Sequence, residues 1–240
     1  MKIHPLKDGD FLVTKEKTFH YLEKSEGLKG LKMATQPFLI ETTYEVILLD
    51  AGLGLVENGI PTIWENIYAT GLQPKDVSKI LLSHLHKDHI DGLVNTSEEG
   101  WKLNFPEAEV YLQKREYDFA LSKSENPSFD LEVLDFIIKN AKIVWMNEDK
   151  GNLSSEISFE VTGGHTPYHQ VFFIRENGET AFYGADNLPT TAYLKYQIAF
   201  KTDFDGKLAM EARNQWEKRA KEEYWKILLY HDMEQAILEL

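Results

Sequence analysis

The chain contains no cysteine. Disulfides, thiolate metal ligands and a cysteine nucleophile are therefore excluded, and any bound metal must be held by imidazole and carboxylate. No long uninterrupted apolar run is present either, so no segment is expected to span a membrane. The opening MKIHPLKDGDFLV lacks the basic-then-apolar pattern of a secretory leader, which makes a cytoplasmic protein the expectation. Positive charge is scarce: 26 lysines and arginines face 39 aspartates and glutamates, a net charge of −13. Such a field repels nucleic acid and anionic membrane, so the expected partner is a small molecule. Low-complexity segments, Gly/Ser linkers and repeats of solenoid period are also missing. With 42% hydrophobic residues over 240 positions, a single domain spanning 1–240 is expected.

What is present alternates. DFLVTK, FHYLEK, QPFLIETT and YEVILLDAG read as strands, the last two joined by a tight turn at Thr42–Tyr44 and stopped by Gly52 and Gly54. IPTIWENIYATG reads as a helix with Pro61 at its start and Gly71 beyond its end. VSKILLSH and AEVYLQ are strands; KREYDFALS and DLEVLDFIIKN are helical. AKIVWMN, ISFEVTGG, QVFFIREN and TAFYGAD are further strands. GKLAMEARNQWEKRAKEE is the clearest helix, with Leu208, Ala212, Trp216 and Ala220 along one face and its charges solvated. YWKILLYHD reads as the last strand. The class is α/β, or a sandwich with helices outside.

Five of the apolar runs hand over to a polar residue where they stop. EVILL ends in Asp50, KILLS in His84, FEVTGG in His165, TAFYGA in Asp186 and KILLY in His231. In α/β sheets, ligands bind outside the carboxyl ends of strands. The densest of these hand-overs is SHLHKDHIDG, which holds three of the chain's eight histidines. If the segment is extended, His84, His86 and Asp88 point the same way, and the chain turns at His89. One metal can then take His84 and His86, and an adjacent one Asp88 and His89. Imidazole with carboxylate suits zinc, and also iron, manganese or cobalt.

HLHKDH, followed in order by GGHTPYH, YGADN and LLYHD, resembles the metallo-β-lactamase superfamily of hydrolases, and LLDAGLG ahead of it is similar too. The resemblance implies an αββα four-layer sandwich with two divalent metal ions, most readily zinc, at one edge. It implies that His84, His86 and His165 hold the first ion, that Asp88, His89 and His231 hold the second, and that Asp186 bridges them. Asp50 is implied to orient a ligand histidine, and a homodimer is compatible with the family. The His/His pair disfavours the diiron flavoprotein branch. A present Asp186 and absent cysteine disfavour antibiotic hydrolysis. The acidic charge disfavours transfer-RNA processing, and NLPTTAYLKYQ is unlike the glutathione-thioester hydrolases. LLYHDMEQ and the stretch from ADNLPT onward resemble the N-acyl-homoserine lactonase and organophosphate-hydrolase branch. Two departures stand out. The lactonase tyrosine three residues after the bridging aspartate is here Pro189, with Tyr193 and Tyr196 nearby, and the second glycine of GHTPGH is here Tyr168.

The expected chemistry follows from the ligand set. Two cations lower the pKa of a bridging water, so that hydroxide attacks a carbonyl carbon or a phosphorus. Asp88 is the candidate proton acceptor, with Asp186 holding the pair together. A dinuclear hydrolase of a small ester or lactone is the leading expectation; a phosphotriester or phosphodiester hydrolase, or a non-catalytic metal-binding protein, are the alternatives. His169 is expected to be structural, His4 and His20 uninvolved, and Lys87 solvated. Within GLVNTSEEGWKLNFPEAEV, Trp101 and Phe105 either line the pocket or pack in a surface loop.

Overall fold

The computed structural model describes residues 1–97 and 100–240; Glu98 and Glu99 of the 92–110 segment lie outside the described residues. Two six-stranded sheets form its centre. The first runs in the order Lys2–Pro5, Phe38–Glu41, Val46–Leu49, Lys79–Leu81, Glu109–Gln113, Lys142–Met146. The second runs Lys150–Asn152, Ile157–Val161, Gln170–Glu176, Glu179–Tyr183, Lys226–Leu228, Ile237–Glu239. The turn at Thr42–Tyr44 forms as expected: the Thr42 hydroxyl oxygen accepts from the Tyr44 and Glu45 amides at 3.3 and 3.1 Å.

The period of two along each strand divides its side chains between two cores. Phe38, Ile40, Ile47, Leu49, Leu81 and Tyr111 face inward and meet Phe159, Phe172, Ile174, Tyr183 and Leu228 of the second sheet. Their neighbours Leu39, Leu48, Ile80, Val110 and Leu112 face outward and are covered by Ile63 and Ile67 of the helix Thr62–Ala69 and by Leu134 and Ile137 of the helix Leu131–Asn140. On the far side, Val171, Phe173, Phe182 and Ile227 pack under Trp216 and Ala220 of the helix Gly206–Glu223. Helix, sheet, sheet and helix therefore stack in four layers, each filling one face of its neighbour.

That long helix has the predicted bounds but a rotated face. Ala209, Arg213, Trp216 and Ala220 are its buried residues, and Leu208 is 43% exposed. Asp205 caps it, its carboxylate accepting from the Leu208 amide at 3.0 Å. YWKILLYHD is not the last strand, because Ile237–Glu239 returns antiparallel beside it. DFLVTK and FHYLEK form strands as expected, but they belong to a third sheet ordered Phe19–Tyr21, Gly9–Val13, Leu31–Thr35, whose last strand the sequence did not indicate. It is anchored to the strand-end region by the Ala34 amide, which donates to the His231 carbonyl at 3.1 Å. Among the described residues no helix is long and apolar enough to cross a membrane.

The strands Val46–Leu49, Lys79–Leu81 and Glu109–Gln113 are mutually parallel, and so are Glu179–Tyr183 and Lys226–Leu228. Parallel strands deliver their carboxyl ends to one edge. There the chain packs closely: a Cβ on Gly92 would stand 1.8 Å from the Ala51 carbonyl oxygen, and the Gly92 amide donates to Gly52 at 3.0 Å. Gly92→Ala is therefore expected to cost at least about 1–3 kcal/mol of stability, because backbone rather than a flexible side chain must give way. Urea unfolding of the variant checks this; an unchanged midpoint would show that the edge is looser than described.

Candidate metal centre

Asp50 terminates Val46–Leu49 in a left-handed backbone conformation, φ 53°, and is fully buried. Its carboxylate accepts four hydrogen bonds: from the Ser83 amide at 2.7 Å, and from the Ser83 hydroxyl, the His89 Nδ1–H and the Tyr183 hydroxyl at 2.6 Å each. The expected partnership with a histidine is thus observed, together with two partners the sequence did not indicate.

From Ser83 the chain runs extended through His84 and His86, then enters a single helical turn, Lys87–Ile90. The turn begins one residue after His86 because the Lys87 amide is taken by the Ser128 carbonyl at 2.8 Å and the His89 amide returns to His86 at 2.9 Å. This corrects the expectation for Asp88. It does not share the extended face of His84 and His86, but reaches the site from the helical turn together with His89.

Four histidines have one ring nitrogen committed on the outside of the cluster. His89 Nδ1 donates to Asp50, His165 Nδ1 to Asp203 at 2.7 Å, His231 Nδ1 to the Ala34 carbonyl at 2.7 Å, and His84 Nδ1 to the Ser83 oxygen at 3.0 Å. Each outer proton leaves a lone pair on Nε2, pointing inward. These inward atoms converge. His84 Nε2 and His165 Nε2 both stand 3.0 Å from His86 Nδ1, and His165 Nε2 stands 3.2 Å from Asp186 Oδ2. The other Asp186 oxygen lies 3.1 Å from both His89 Nε2 and His231 Nε2. Asp88 Oδ2 lies 3.8 and 3.7 Å from those two nitrogens.

The arrangement fits cations better than hydrogen bonds. His89 Nε2 and Asp186 Oδ1 are buried and lack a hydrogen-bond partner although they are neighbours. Donors around a tetrahedral ion with bonds of about 2.0–2.1 Å stand about 3.3 Å apart, close to the spacing seen here. Two groups can each hold a metal ion: His84, His86, His165 and Asp186, and Asp88, His89 and His231. A third convergence, Asp50 with His84 and His89, cannot, because its lone pairs are occupied by the four donors above.

Burial, then neighbouring imidazoles, hold His84 and His86 well below the ordinary histidine range. Burial opposes the protonation of His89 too, but Asp186, Asp50 and Asp88 outweigh it and raise it well above that range; His231 is raised chiefly by Asp186 in the same way. Asp186 is held well below the usual carboxylate range despite burial, by His231, His89 and His165. The cluster is built around positive charge at its centre.

Above these residues opens a cavity of about 270 Å³. His86, Asp88, His165, Asp186 and His231 form its floor, and Val13, Phe19, Leu31 and Met33 of the third sheet contribute to its walls. Tyr193 also lines it; Tyr196 is not among the lining residues and is 65% exposed. Burial, then Asp203 and Asp186, push the Tyr193 phenol up, so it remains a hydrogen-bond donor. Lys87 lines the cavity rather than standing apart from it. Trp101 packs edge-on against Phe136 and Phe105 is buried in the outer core, so neither lines the cavity. His4 and His20 lie outside it as well.

Several functional neighbours escaped the sequence. Asp203, its side chain 2% exposed, orients His165. Asn187 accepts from the His165 amide at 2.8 Å and donates to the Gly163 carbonyl at 2.6 Å and toward His169 Nδ1 at 3.2 Å, which gives His169 its structural place. Arg213, read as part of a solvated face, is instead buried; it donates to the Asn187 carbonyl at 2.6 Å and to that of Ile198, and its guanidinium lies 5.1 Å from the ring centre of Tyr193. Asn187 directly follows Asp186 in YGADN, which is a usable signal; Asp203 carries none, because its partner is 38 residues away.

A sandwich with its polar residues at the strand ends, and a converging set of imidazoles and carboxylates, define a metal-dependent hydrolase. The family model for the metallo-beta-lactamase superfamily matches residues 33–231. The chain belongs to that superfamily. It is 28% identical over 230 residues to the N-acyl homoserine lactonase AiiA of Bacillus thuringiensis subsp. kurstaki, covering 86% of this chain and 84% of the relative. Among solved structures, the hydrolase AbOPH of the beta lactamase superfamily superposes with a TM-score of 0.73 at 23% identity, over 99% of this chain and 89% of that one. AidC, a dizinc quorum-quenching lactonase in complex with a product, superposes with a TM-score of 0.70 at 24% identity, over 86% and 75%. These two likenesses concern the fold.

Behind the His165 loop, Glu116 is 1% exposed; it accepts from the Thr166 hydroxyl at 2.9 Å and the Tyr168 amide at 3.2 Å. Burial pushes its carboxyl up from 4.5 to about 7 despite these bonds. Between those values the folded chain binds more protons than the unfolded one, so stability falls as pH rises through that window. Glu116→Gln removes this loss. Relative to the parent, the variant is expected to gain up to about 3 kcal/mol between pH 4.5 and 8, read by urea unfolding at each pH. A difference that does not change with pH would refute the buried, protonated carboxyl.

Proposed function

We propose that this chain is a dinuclear hydrolase that opens a small ester or lactone in the cavity above the two histidine clusters. The observation that carries the reading is the sharing of Asp186: one of its oxygens faces His165 and the other faces His89 and His231. On this reading His84, His86, His165 and Asp186 hold one ion, and Asp88, His89, His231 and Asp186 hold the other. Zinc suits the set, given nitrogen and oxygen donors at near-tetrahedral spacing. Bound there, the ions supply Lewis acidity toward the substrate oxygen and bring the ionisation of water near neutral pH.

The side chains divide the remaining work. Among the described residues no hydrogen bond engages the Asp88 carboxylate, which lines the cavity floor; one of its oxygens would hold the ion and the other would accept a proton from the attacking water. Tyr193, protonated and turned to the same cavity, donates a hydrogen bond to the substrate oxygen that gains charge. The apolar wall of Val13, Phe19, Leu31 and Met33 receives an acyl portion and displaces water. The naming of AiiA as an N-acyl homoserine lactonase favours a carbonyl over a phosphoryl centre. The whole chain, 1–240, acts as one domain on this reading, since the third sheet and the strand ends together build the cavity.

Elemental analysis should find two zinc ions per chain, and a panel of lactones, aryl esters and aryl phosphates should show hydrolysis that chelation abolishes and metal restores. Asp186→Ala is expected to lose at least about 100-fold in activity together with metal content. Tyr193→Phe is expected to lose about tenfold or more in kcat with metal content intact. Preference for the phosphate of a matched leaving group would move the assignment to phosphorus. Full turnover by Asp186→Ala would end the dinuclear reading, and two ions without turnover on any substrate would favour a binding role.

A further inference from the structure

The cavity is divided by charge. The carboxylates that line it, Asp88, Asp186 and Asp203, sit deep, with side chains 12%, 11% and 2% exposed. Asp186 and Asp203 face the histidines at the floor. Its remaining charged lining is basic: Lys17, Lys32 and Lys87. In a chain with 39 acids and 26 bases that clustering is against the average. Several lysines elsewhere are neutralised at close range, as in Lys79 with Glu45 at 2.6 Å, Lys142 with Glu107 at 2.8 Å and Lys226 with Glu179 at 3.1 Å. Among the described residues, none of the three cavity lysines has a carboxylate within ion-pair distance.

Lys17 is also placed at a conformational cost. It stands at φ 59° in the turn Thr14–Thr18, closed by the Lys17 amide donating to Thr14 and the Thr14 amide donating to Thr18, each at 3.0 Å. Left-handed backbone is unfavourable for a side chain such as lysine, and it persists where the surrounding structure over-determines it. Phe19, one residue past this turn's close, lies across the strand pair from Val13, and Val13 is paired in turn with Leu31. The Lys87 ammonium stands 6.0 Å from the Phe19 ring centre. Ammonium groups without a carboxylate in ion-pair contact, among the described residues, therefore line the cavity beside its apolar wall.

We propose that the substrate carries an anionic group, a carboxylate or a phosphate, on the acyl end remote from the bond that is cut, and that Lys17 and Lys87 receive it, with Lys32 adding to the field. This rests on reading the cavity as the site of ester or lactone cleavage. The ammonium groups act as flexible point charges and accept either anion, while the apolar wall holds the carbon chain between the two ends of the molecule.

Calorimetric titration of the metal-loaded protein with hexanoate, adipate and 6-phosphohexanoate tests this without requiring turnover. All three acids offer one carboxylate to the metal centre, and two offer a second anion. At low salt the two probes with a second anionic group are expected to bind about tenfold tighter than hexanoate, with the advantage shrinking as salt is added. Their order identifies carboxylate or phosphate as the better fit. The advantage is expected to fall below about twofold in Lys17→Gln/Lys87→Gln and to persist in Lys17→Arg/Lys87→Arg, with unfolding midpoints showing that both variants fold. Equal affinity for the three acids, or an advantage that survives the glutamine variant, would overturn the proposal. Phenyl hexanoate and monophenyl adipate supply the kinetic arm: the adipate ester is expected to show the lower KM at similar kcat. Failure to hydrolyse either ester would count against the hydrolase reading alone, since the titration decides the anion site independently.

Discussion

A buried carboxylate with no room to be left unsatisfied is the constraint on which this structure turns. Asp50 is fully buried, and a charge in that position is tolerable only when its lone pairs are filled. Its donors come from three parts of the chain: Ser83 beyond the next strand of the first sheet, Tyr183 at the end of a strand in the second, and His89 in the helical turn. The set is complete only when the two sheets are packed face to face and the turn is formed. Docking of the sheets and orientation of His89 therefore depend on one charge. Tyr230 reinforces the arrangement, stacking on His89 with ring centres 4.2 Å apart and donating to the Asp88 carbonyl at 2.6 Å.

The same logic is repeated around the cluster with different acceptors. Asp203, Ala34 and Ser83 do for His165, His231 and His84 what Asp50 does for His89, taking the outer proton and fixing which nitrogen keeps its lone pair. Packing lone pairs together in a low-dielectric site is unfavourable without positive charge between them. The opposed shifts express this: His84 and His86 resist protonation, while His89 and His231 favour it and Asp186 stays ionised. On the proposed reading metal and protons would compete for the same nitrogens, tying metal affinity to pH through His89 and His231.

The residues that end apolar runs were legible in the sequence because strand direction delivers them to one edge. Asp50, His84, His165, Asp186 and His231 all follow from that rule, and the long helix follows from its period and its cap. Asp88 was misplaced because a distant carbonyl, that of Ser128, starts the helical turn one residue after His86. No local period reports such a capture. Arg213 was misread for a related reason: its neighbours Lys218, Arg219 and Lys221 do form i,i+4 pairs on the surface, and only the Asn187 and Ile198 carbonyls distinguish it. The third sheet was half legible, since DFLVTK and FHYLEK read as strands, but its position over the site depends on a long-range bond from Ala34 to His231.

The two departures from the lactonase pattern fall where the backbone, not the side chain, does the positioning. At 189 the carbonyl accepts the His231 amide at 3.0 Å, a bond that proline makes as well as tyrosine. At 168 the amide donates to Glu116, while the ring turns outward under the Arg115 guanidinium, 5.0 Å away. The metal centre is thereby insulated from changes in these side chains. The segment beyond Pro189 is held separately. Asp232, next to His231, accepts from the Thr191 amide and hydroxyl at 2.9 Å each, and Arg213 ties down its far end through Ile198. Tyr193 lies between these two anchors and rests against Arg213. The loop that shapes the cavity is thus fastened to the histidine-bearing edge at its ends and is free to vary between them. A fold built this way can keep one chemistry at its floor while the wall above it changes what is admitted.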